Sequence, residues 1–252
     1  MKKLILAIVA LEFLFGSCMW AVDQPENAQA IFEKYQVVSI PGTMRARLKV
    51  MVVRSGQQPQ EMVSEIFCQE KEGLLLRCIE PERQRGMVFL QTGSECWIIL
   101  PHMKKPSKLS RRSVMNRMEL THIAYLVWLS NSAGFVTTLE GSQDIDGVNH
   151  YILELQDILR HSPFDRVKIW IRNIDYLAKK AEFFSRSGKM ILSVTNDKFQ
   201  KVKGIPYHLE TTIVNPLREG EKTLVSFEEI EFNISLPMEL FDKNNLARSA
   251  QN

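Results

Sequence analysis

Apolar and polar residues alternate with a period of two through most of this chain, and that pattern limits the folds open to it. The even-numbered residues from Met44 to Val52 are apolar, whereas Thr43, Arg45 and Lys49 lie between them. Such alternation predicts a β-strand with one apolar and one wet face. Similar segments recur between turn sequences such as Asp146-Gly147, and they predict roughly a dozen strands, most of them in sequential hairpins.

The predicted strands are 44–52, 62–68, 74–78, 87–91, 95–100, 135–140, 148–155, 167–172, 177–184, 189–194, 207–214 and 223–233. A helix is expected before the first strand, because Ala28, Ile31, Phe32 and Tyr35 fall on one helical face. Asp23 offers a cap for that helix, which should end at Pro41-Gly42. A second short helical stretch is predicted at 123–127.

Long antiparallel strands with one apolar face must bury that face. A second stacked sheet would do so, as would a sheet curled around a helix. A curled sheet whose lining is only partly filled would leave a cavity for an apolar ligand. The periodicity leaves these three architectures open and disfavours an α/β enzyme.

The N-terminus has the pattern of an export signal. Lys2 and Lys3 precede an apolar run from position 4 to 15, which is too short to span a bilayer. Residues 1–17 are predicted to be a signal peptide, and residues 18–252 one β domain. Phe15-Gly16-Ser17-Cys18 is similar to a bacterial lipobox, so cleavage at Cys18 with lipidation and simple cleavage near Ala21 both remain open. Either way we expect the protein in the periplasm, tethered to a membrane if Cys18 carries lipid.

Charge and motifs argue against several function classes. The net charge is +3 over 252 residues, which predicts no nucleic-acid role. The five histidines show no metal-ligand spacing, and the chain has no nucleophile elbow, phosphate loop or dinucleotide fingerprint. We expect a protein that is not an enzyme and that uses no cofactor and no metal.

The cysteines offer one candidate bridge. Cys68 and Cys78 flank a predicted turn at 71–73 and have the same parity. An oxidising compartment could join them in a disulfide, while two buried apolar thiols are the alternative. Cys96 has no evident partner.

A basic segment interrupts the strands after position 101. Its cations include Lys104, Lys105, Lys108, Arg111 and Arg112, and residues 101–118 contain no acid. Near an anionic membrane each such cation adds about 1 kcal/mol of attraction, so the segment could contact headgroups or an acidic partner. A solvated loop is the alternative.

Several local patterns, in a shared order from about residue 30 to 248, resemble the LolA-like outer-membrane lipoprotein-sorting proteins. They are Gly73-Leu74-Leu75-Leu76-Arg77 followed by Pro81 and 85–90, Trp97-Ile98-Ile99-Leu100-Pro101 leading to 108–110, 145–148 before 151–155, 167–171, 184–189, and Leu236-Pro237 with Phe241 and Leu246.

The resemblance implies an α+β, mainly antiparallel β fold: an unclosed, strongly curved β-barrel (a half-barrel) with a helical plug or lid. It also implies a periplasmic carrier that binds acyl chains of lipoprotein or phospholipid and passes them toward the outer membrane, with an inner-membrane exporter and the membrane surface as partners. A non-catalytic envelope sensor or scaffold that docks a protein partner is the alternative.

Apolar residues on the predicted inward faces are the candidate lining of the lipid cavity. These are Leu48, Val50, Met87, Phe89, Trp97, Ile99, Ile169, Phe183, Met190 and Leu192. An ordinary filled core is the alternative reading of the same residues.

Overall fold

The computed structural model describes residues 27–40, 42–70, 72–93, 95–110, 135–158 and 164–250. The predicted signal peptide, Cys18, Ala21, Asp23 and the helical stretch at 123–127 lie outside them. The described elements are α1 (Ala28–Ser39), β1 (Thr43–Val53), β2 (Gln60–Gln69), β3 (Gly73–Glu80), β4 (Val88–Thr92), β5 (Glu95–Ile99), β6 (Ser107–Leu109), β7 (Phe135–Ile145), β8 (Val148–Asp157), β9 (Arg166–Arg172), β10 (Ala178–Phe184), β11 (Met190–Val202), β12 (Ile205–Val214), β13 (Lys222–Phe232) and α2 (Leu246–Ser249).

The predicted first helix is confirmed as α1. Asn27 caps it, because the side-chain oxygen accepts a hydrogen bond from the backbone N–H of Ala30 at 2.8 Å. Ile31, Phe32 and Tyr35 are buried on one face, as their spacing predicts. This face is the apolar side that α1 turns toward the sheet.

All strands in the described residues belong to one antiparallel sheet with the order β6-β5-β4-β3-β2-β1-β13-β12-β11-β10-β9-β8-β7. Most neighbours are sequential hairpins, but β1 pairs with β13 and so joins the two halves of the chain. Because β6 and β7 end the sheet without pairing to each other in this part of the chain, the sheet is not closed. It is curved, as in a half-barrel. The predicted unclosed, mainly antiparallel fold is confirmed.

The turn at Asp146-Gly147 is confirmed, with positive φ values of 56° and 77° that suit a tight hairpin. Two strands run further than their alternation predicts. β7 continues to Ile145, and β11 continues to Val202 as one arm of a hairpin with β12. The short strand β6 was not predicted, because three residues carry no readable period.

The sheet buries residues on two sides. The inner cluster contains α1 residues and inward side chains of β1–β5 and β8–β13. The outer cluster consists of Phe67, Leu75, Val88, Leu90, Ile99, Phe241 and Leu246. Alternate residues of β3 divide between them, with Leu74 and Leu76 inside and Leu75 outside. The C-terminal segment, residues 236–250, covers the outer face of β3–β5.

Because the C-terminal segment covers the outer face, two residues predicted to line the cavity, Trp97 and Ile99, lie on that outer face instead. Ile99 belongs to the outer cluster and Trp97 packs against it, while Cys96 and Ile98 supply the inward positions of β5. Four consecutive apolar residues occupy this strand, so alternation could not show which pair points inward. Met190 is half-buried at the start of β11 and belongs to neither cluster.

The register is incompatible with the candidate Cys68–Cys78 disulfide and agrees with the alternative of two buried thiols. Cys68 lies opposite Leu74, and Cys78 lies opposite Ser64. The two cysteines are therefore offset by four residues along the strands, roughly 13 Å, whereas a disulfide joins Cα atoms about 4–7 Å apart. Both thiols are free and buried, and burial raises the pKa of Cys68 to about 12 and that of Cys78 to about 11.

Among the described residues, no helix is both long enough and apolar enough to cross a membrane.

Candidate ligand cavity

A cavity lies between the C-terminal part of α1 and the inner face of the sheet, around the β1–β13–β12 junction. Its lining is largely apolar, and it comes from both halves of the chain. The lining residues are Tyr35, Ser39, Ile40, Met44, Leu48, Cys68, Leu74, Leu177, Ala178, Asn196, Tyr207, His208, Thr211, Ile213, Val225 and Phe227.

The space in this cavity is narrow. Its free volume, counted as the space open to the centre of a water molecule, is about 40 Å³. One water needs at least about 10–15 Å³ on this measure, so the described residues leave room for roughly three waters. An acyl chain can enter only if α1 or the strands move apart.

Two polar contacts near β7 and β10 supplement the buried apolar face of α1 in holding the helix over the cavity. Thr137 of β7 donates a hydrogen bond to the Gln29 side chain at 2.9 Å. Lys34 donates to the hydroxyl of Tyr176, just before β10, at 3.1 Å. These contacts are exposed, and exposed side-chain hydrogen bonds contribute little stability. The burial of Ile31, Phe32 and Tyr35 in the inner cluster is therefore the main contribution that holds α1 on the sheet.

Aromatic rings fill the sheet where β12 separates from β13. The last β12–β13 pair is Glu210 with Ser226, and Tyr207 and His208 lie beyond it. The ring of Tyr207 is 5.5 Å from that of Phe227 and stacks on His208 at 4.7 Å. Beyond the last backbone pair, the rings of Tyr207 and His208 on β12 contact the ring of Phe227 on β13 at one end of the cavity.

His208 is a titratable side chain of the lining whose pKa this environment lowers strongly. Its Nδ1 atom is buried and has no hydrogen-bond partner among the described residues, although the ring as a whole keeps some exposed surface. Burial lowers the pKa of His208 to about 4, and nearby Asp197 opposes that shift. His208 is therefore neutral at neutral pH.

This shift predicts that acid destabilises the protein partly through His208. Below the unfolded histidine pKa of about 6.5, the unfolded chain binds a proton that folded His208 binds only near pH 4. Stability is therefore complete above pH 6.5 and falls as the pH drops toward 4. Between pH 7.5 and 5 we expect a loss of about 1–2 kcal/mol from this ring, allowing for its exposed part.

Denaturant titrations of the protein and of His208→Phe at both pH values measure that loss. The variant should show a smaller difference between the two pH values. It should keep the part due to His150, whose pKa burial also lowers. His102→Gln, at an exposed position, is the control. An unchanged pH dependence in His208→Phe would contradict the assignment.

The predicted lining residues divide into three groups. Leu48 lines the cavity. Val50, Met87, Phe89, Ile169, Phe183 and Leu192 are buried in the inner cluster but do not line the cavity that the described residues form. Trp97, Ile99 and Met190 lie elsewhere, as described above.

The cavity-lining residues of β11–β13 were not predicted from the sequence. Asn196 shares the parity of Leu192 and Val194 and so points inward. Because its side chain is polar, hydrophobic alternation does not identify it as an inward position. Ile213 and Val225 carry the inward parity of predicted strands. Only the β1–β13 pairing shows that they face Leu48 across one cavity.

The predicted basic contact surface is partly described. Lys104 and Lys105 are exposed, while Lys108 pairs with Glu95 and lies over the ring of Trp97 at 5.8 Å. Hydrogen bonding from Lys108 lowers the pKa of Glu95. Arg111 and Arg112 lie outside the described residues.

Within the described ranges, no group of three or more His, Cys, Asp or Glu side chains could hold a metal ion.

The chain was compared with protein-family models, curated proteins and solved structures. A family model described as an uncharacterized protein matches residues 70–248. No match was found among curated proteins.

Three solved structures share the fold over most of the chain. A LolA superfamily protein from Nitrosomonas europaea is 22% identical with a TM-score of 0.74, covering 87% of this chain and 99% of that one. A DUF1329 family protein from Desulfovibrio piger is 16% identical with a TM-score of 0.75, covering 88% and 99%. A domain described as an outer membrane lipoprotein-sorting protein from Vibrio parahaemolyticus is 18% identical with a TM-score of 0.74, covering 88% and 100%. At these identities the likeness shows the fold, and it confirms the LolA-like half-barrel predicted from the sequence.

Proposed function

Since the chain belongs to the family whose model is described as an uncharacterized protein, we propose from its cavity that it is a non-catalytic periplasmic carrier. In this proposal it binds acyl chains of lipoprotein or phospholipid and passes them toward the outer membrane. The observation that carries the proposal is the apolar cavity between α1 and the inner face of an unclosed sheet.

The energetics of such a cavity favour hydrocarbon. Burying a methylene group stabilises a complex by about 0.8 kcal/mol. A chain that displaces α1 from part of the inner face takes over apolar contacts that Ile31, Phe32 and Tyr35 make there, which offsets part of the cost of opening. The exposed hydrogen bonds at Gln29 and Lys34 are the polar contacts that must break. Loading and release would then follow movement of α1.

The cellular setting of the proposal comes from the sequence. The signal peptide at 1–17 would export the chain, and lipid on Cys18 would tether it so that it transfers cargo locally. Cleavage near Ala21 would instead leave a shuttle. The basic segment from Lys104 to Arg112 would contact headgroups at a membrane surface, and an inner-membrane exporter would supply the cargo.

Native mass spectrometry of the protein, expressed with its signal and purified without strong detergent, tests the proposal. We expect an added mass that dissociates as a phospholipid or an acylated peptide. A protein that carries no lipid, takes up none from vesicles and retains one protein partner would overturn carriage and support the sensor or scaffold alternative.

A further inference from the structure

The cavity has one polar corner, formed by Asn196 and Thr211. These residues lie opposite each other on β11 and β12 and belong to the lining. Their exposed fractions are 1% and 5%. A buried amide and hydroxyl cost free energy at an apolar wall unless they are hydrogen-bonded, so this pair needs hydrogen-bond partners in a lining that is largely apolar.

The two side chains bond to each other and keep unused capacity. Asn196 donates from Nδ2 to the carbonyl oxygen of Ala178 at 2.9 Å, and its Oδ1 accepts from the Thr211 hydroxyl at 2.9 Å. An amide NH2 has two hydrogens and a hydroxyl oxygen has two lone pairs. One further donor on Asn196 and an acceptor on Thr211 therefore remain for a ligand.

His208 is a further polar group of the cavity lining, at another position along β12. It lies three residues, roughly 10 Å, from Thr211 along the strand. Contacts with Tyr207 and Phe227, 5.4 Å from the latter, hold its ring in place. Its buried Nδ1 has no partner in the described structure, and a buried polar atom in that state calls for a ligand or a water.

No lysine or arginine lines the cavity in the described part of the chain. Lys179, next to lining residue Ala178, is paired with Asp197 at 2.5 Å and with Asp146 at 3.6 Å. A carboxylate or phosphate placed in the corner would therefore be a buried charge without a counter-ion, which is costly. An uncharged group with donors and acceptors meets no such cost.

We propose that the corner of Asn196 and Thr211 binds an uncharged hydrogen-bonding group of the ligand, a carboxamide or an ester, and discriminates against a free carboxylate. This inference rests on the proposed carrier function, because it assigns a headgroup class to the acyl chain in the same cavity.

Competition between matched ligands tests the inference. Dodecanamide and dodecanoate have the same chain length and differ in the charge of the head at pH 7.5. Each displaces a fluorescent acyl probe from the full chain, and we expect the amide to bind at least tenfold more tightly.

In the double variant Asn196→Leu, Thr211→Val the affinity for the amide should fall about tenfold, while that for the carboxylate should stay within about twofold. Thr212→Val, on the other face of β12, is the matched control.

The outcomes separate the inference from the function on which it rests. Equal or tighter binding of dodecanoate by the unmodified protein would overturn the headgroup assignment and leave acyl binding intact. Failure of both ligands and of the probe to bind would overturn the carrier function itself. The comparison on the unmodified protein decides the matter even if the double variant does not fold.

Discussion

Replacing Val225 with phenylalanine is expected to weaken acyl-chain binding about thirtyfold while changing the free energy of unfolding by less than about 1 kcal/mol. Val225 is 4% exposed and lines the cavity. A phenyl ring there would occupy space that two or three methylenes of the ligand need, which is worth about 2 kcal/mol, or about thirtyfold. The free space of about 40 Å³ beside Val225 takes up part of the added ring, so the fold loses less than a filled core would.

The matched control is Val50→Phe. Val50 lies directly opposite Val225 in the β1–β13 pair and so shares its face of the sheet. It is fully buried and does not line the cavity formed by the described residues. Overpacking a filled core typically costs about 1–3 kcal/mol, so this variant should lose stability where Val225→Phe does not.

Displacement of a fluorescent acyl probe and urea unfolding measure the two effects. Equal destabilisation by the two variants would show that the core around Val225 is packed as densely as that around Val50, which would contradict the presence of a cavity there. Unchanged binding in Val225→Phe would place the acyl chain elsewhere.

Replacing Phe241 with alanine is expected to lower the free energy of unfolding by about 3 kcal/mol without altering acyl affinity. Phe241 is 5% exposed and belongs to the outer cluster, on the face of the sheet away from the cavity. Removing a buried phenylalanine side chain costs about 3–5 kcal/mol, and the low end suits a segment near the chain terminus. The prediction tests whether the two faces act separately.

Met238→Ala is the control for this change. Met238 begins the same short helical turn but is 52% exposed, and surface substitutions of this kind usually change stability by about 0.5 kcal/mol or less. Urea unfolding with each variant gives the comparison. A large fall in acyl affinity in Phe241→Ala, at a urea concentration where the protein stays folded, would contradict the separation of the two faces.

Local alternation was enough to predict most strands of this fold. The even parity of Met44 to Val52 appears in the structure as five buried side chains of β1. The same rule assigned Val167, Ile169 and Ile171 of β9 to the inner face, where they are fully buried. A period of two fixes a face wherever only one side of a strand is covered.

The rule failed where both sides are covered. In β5 the C-terminal segment buries Ile99 on the outer face, so apolar character does not distinguish inside from outside. Parity likewise could not decide whether Cys68 and Cys78 form a disulfide. It predicts that both lie on one face of the sheet, but it does not give the distance between them along β2 and β3. The offset depends on the β2–β3 register.

The cavity could not be located from sequence, because it depends on a non-sequential pairing. Leu48 and Val225 are far apart in the chain and meet only through the β1–β13 ladder. The polar residues Asn196 and Thr211 break the apolar pattern of β11 and β12 at a place where the lining forms hydrogen bonds. Hydrophobicity alone therefore predicts an inner face and does not indicate where it is hollow.

Photolabelling with a fatty chain that carries a diazirine at its terminal carbon tests most directly whether the interior accepts hydrocarbon. After irradiation and digestion, we predict cross-links at cavity residues such as Leu48, Ile213 and Val225, and loss of these cross-links when unlabelled dodecanamide is added in excess. Cross-links confined to the outer face, at Trp97 or Leu236, or no cross-links that the competitor removes, would contradict the account.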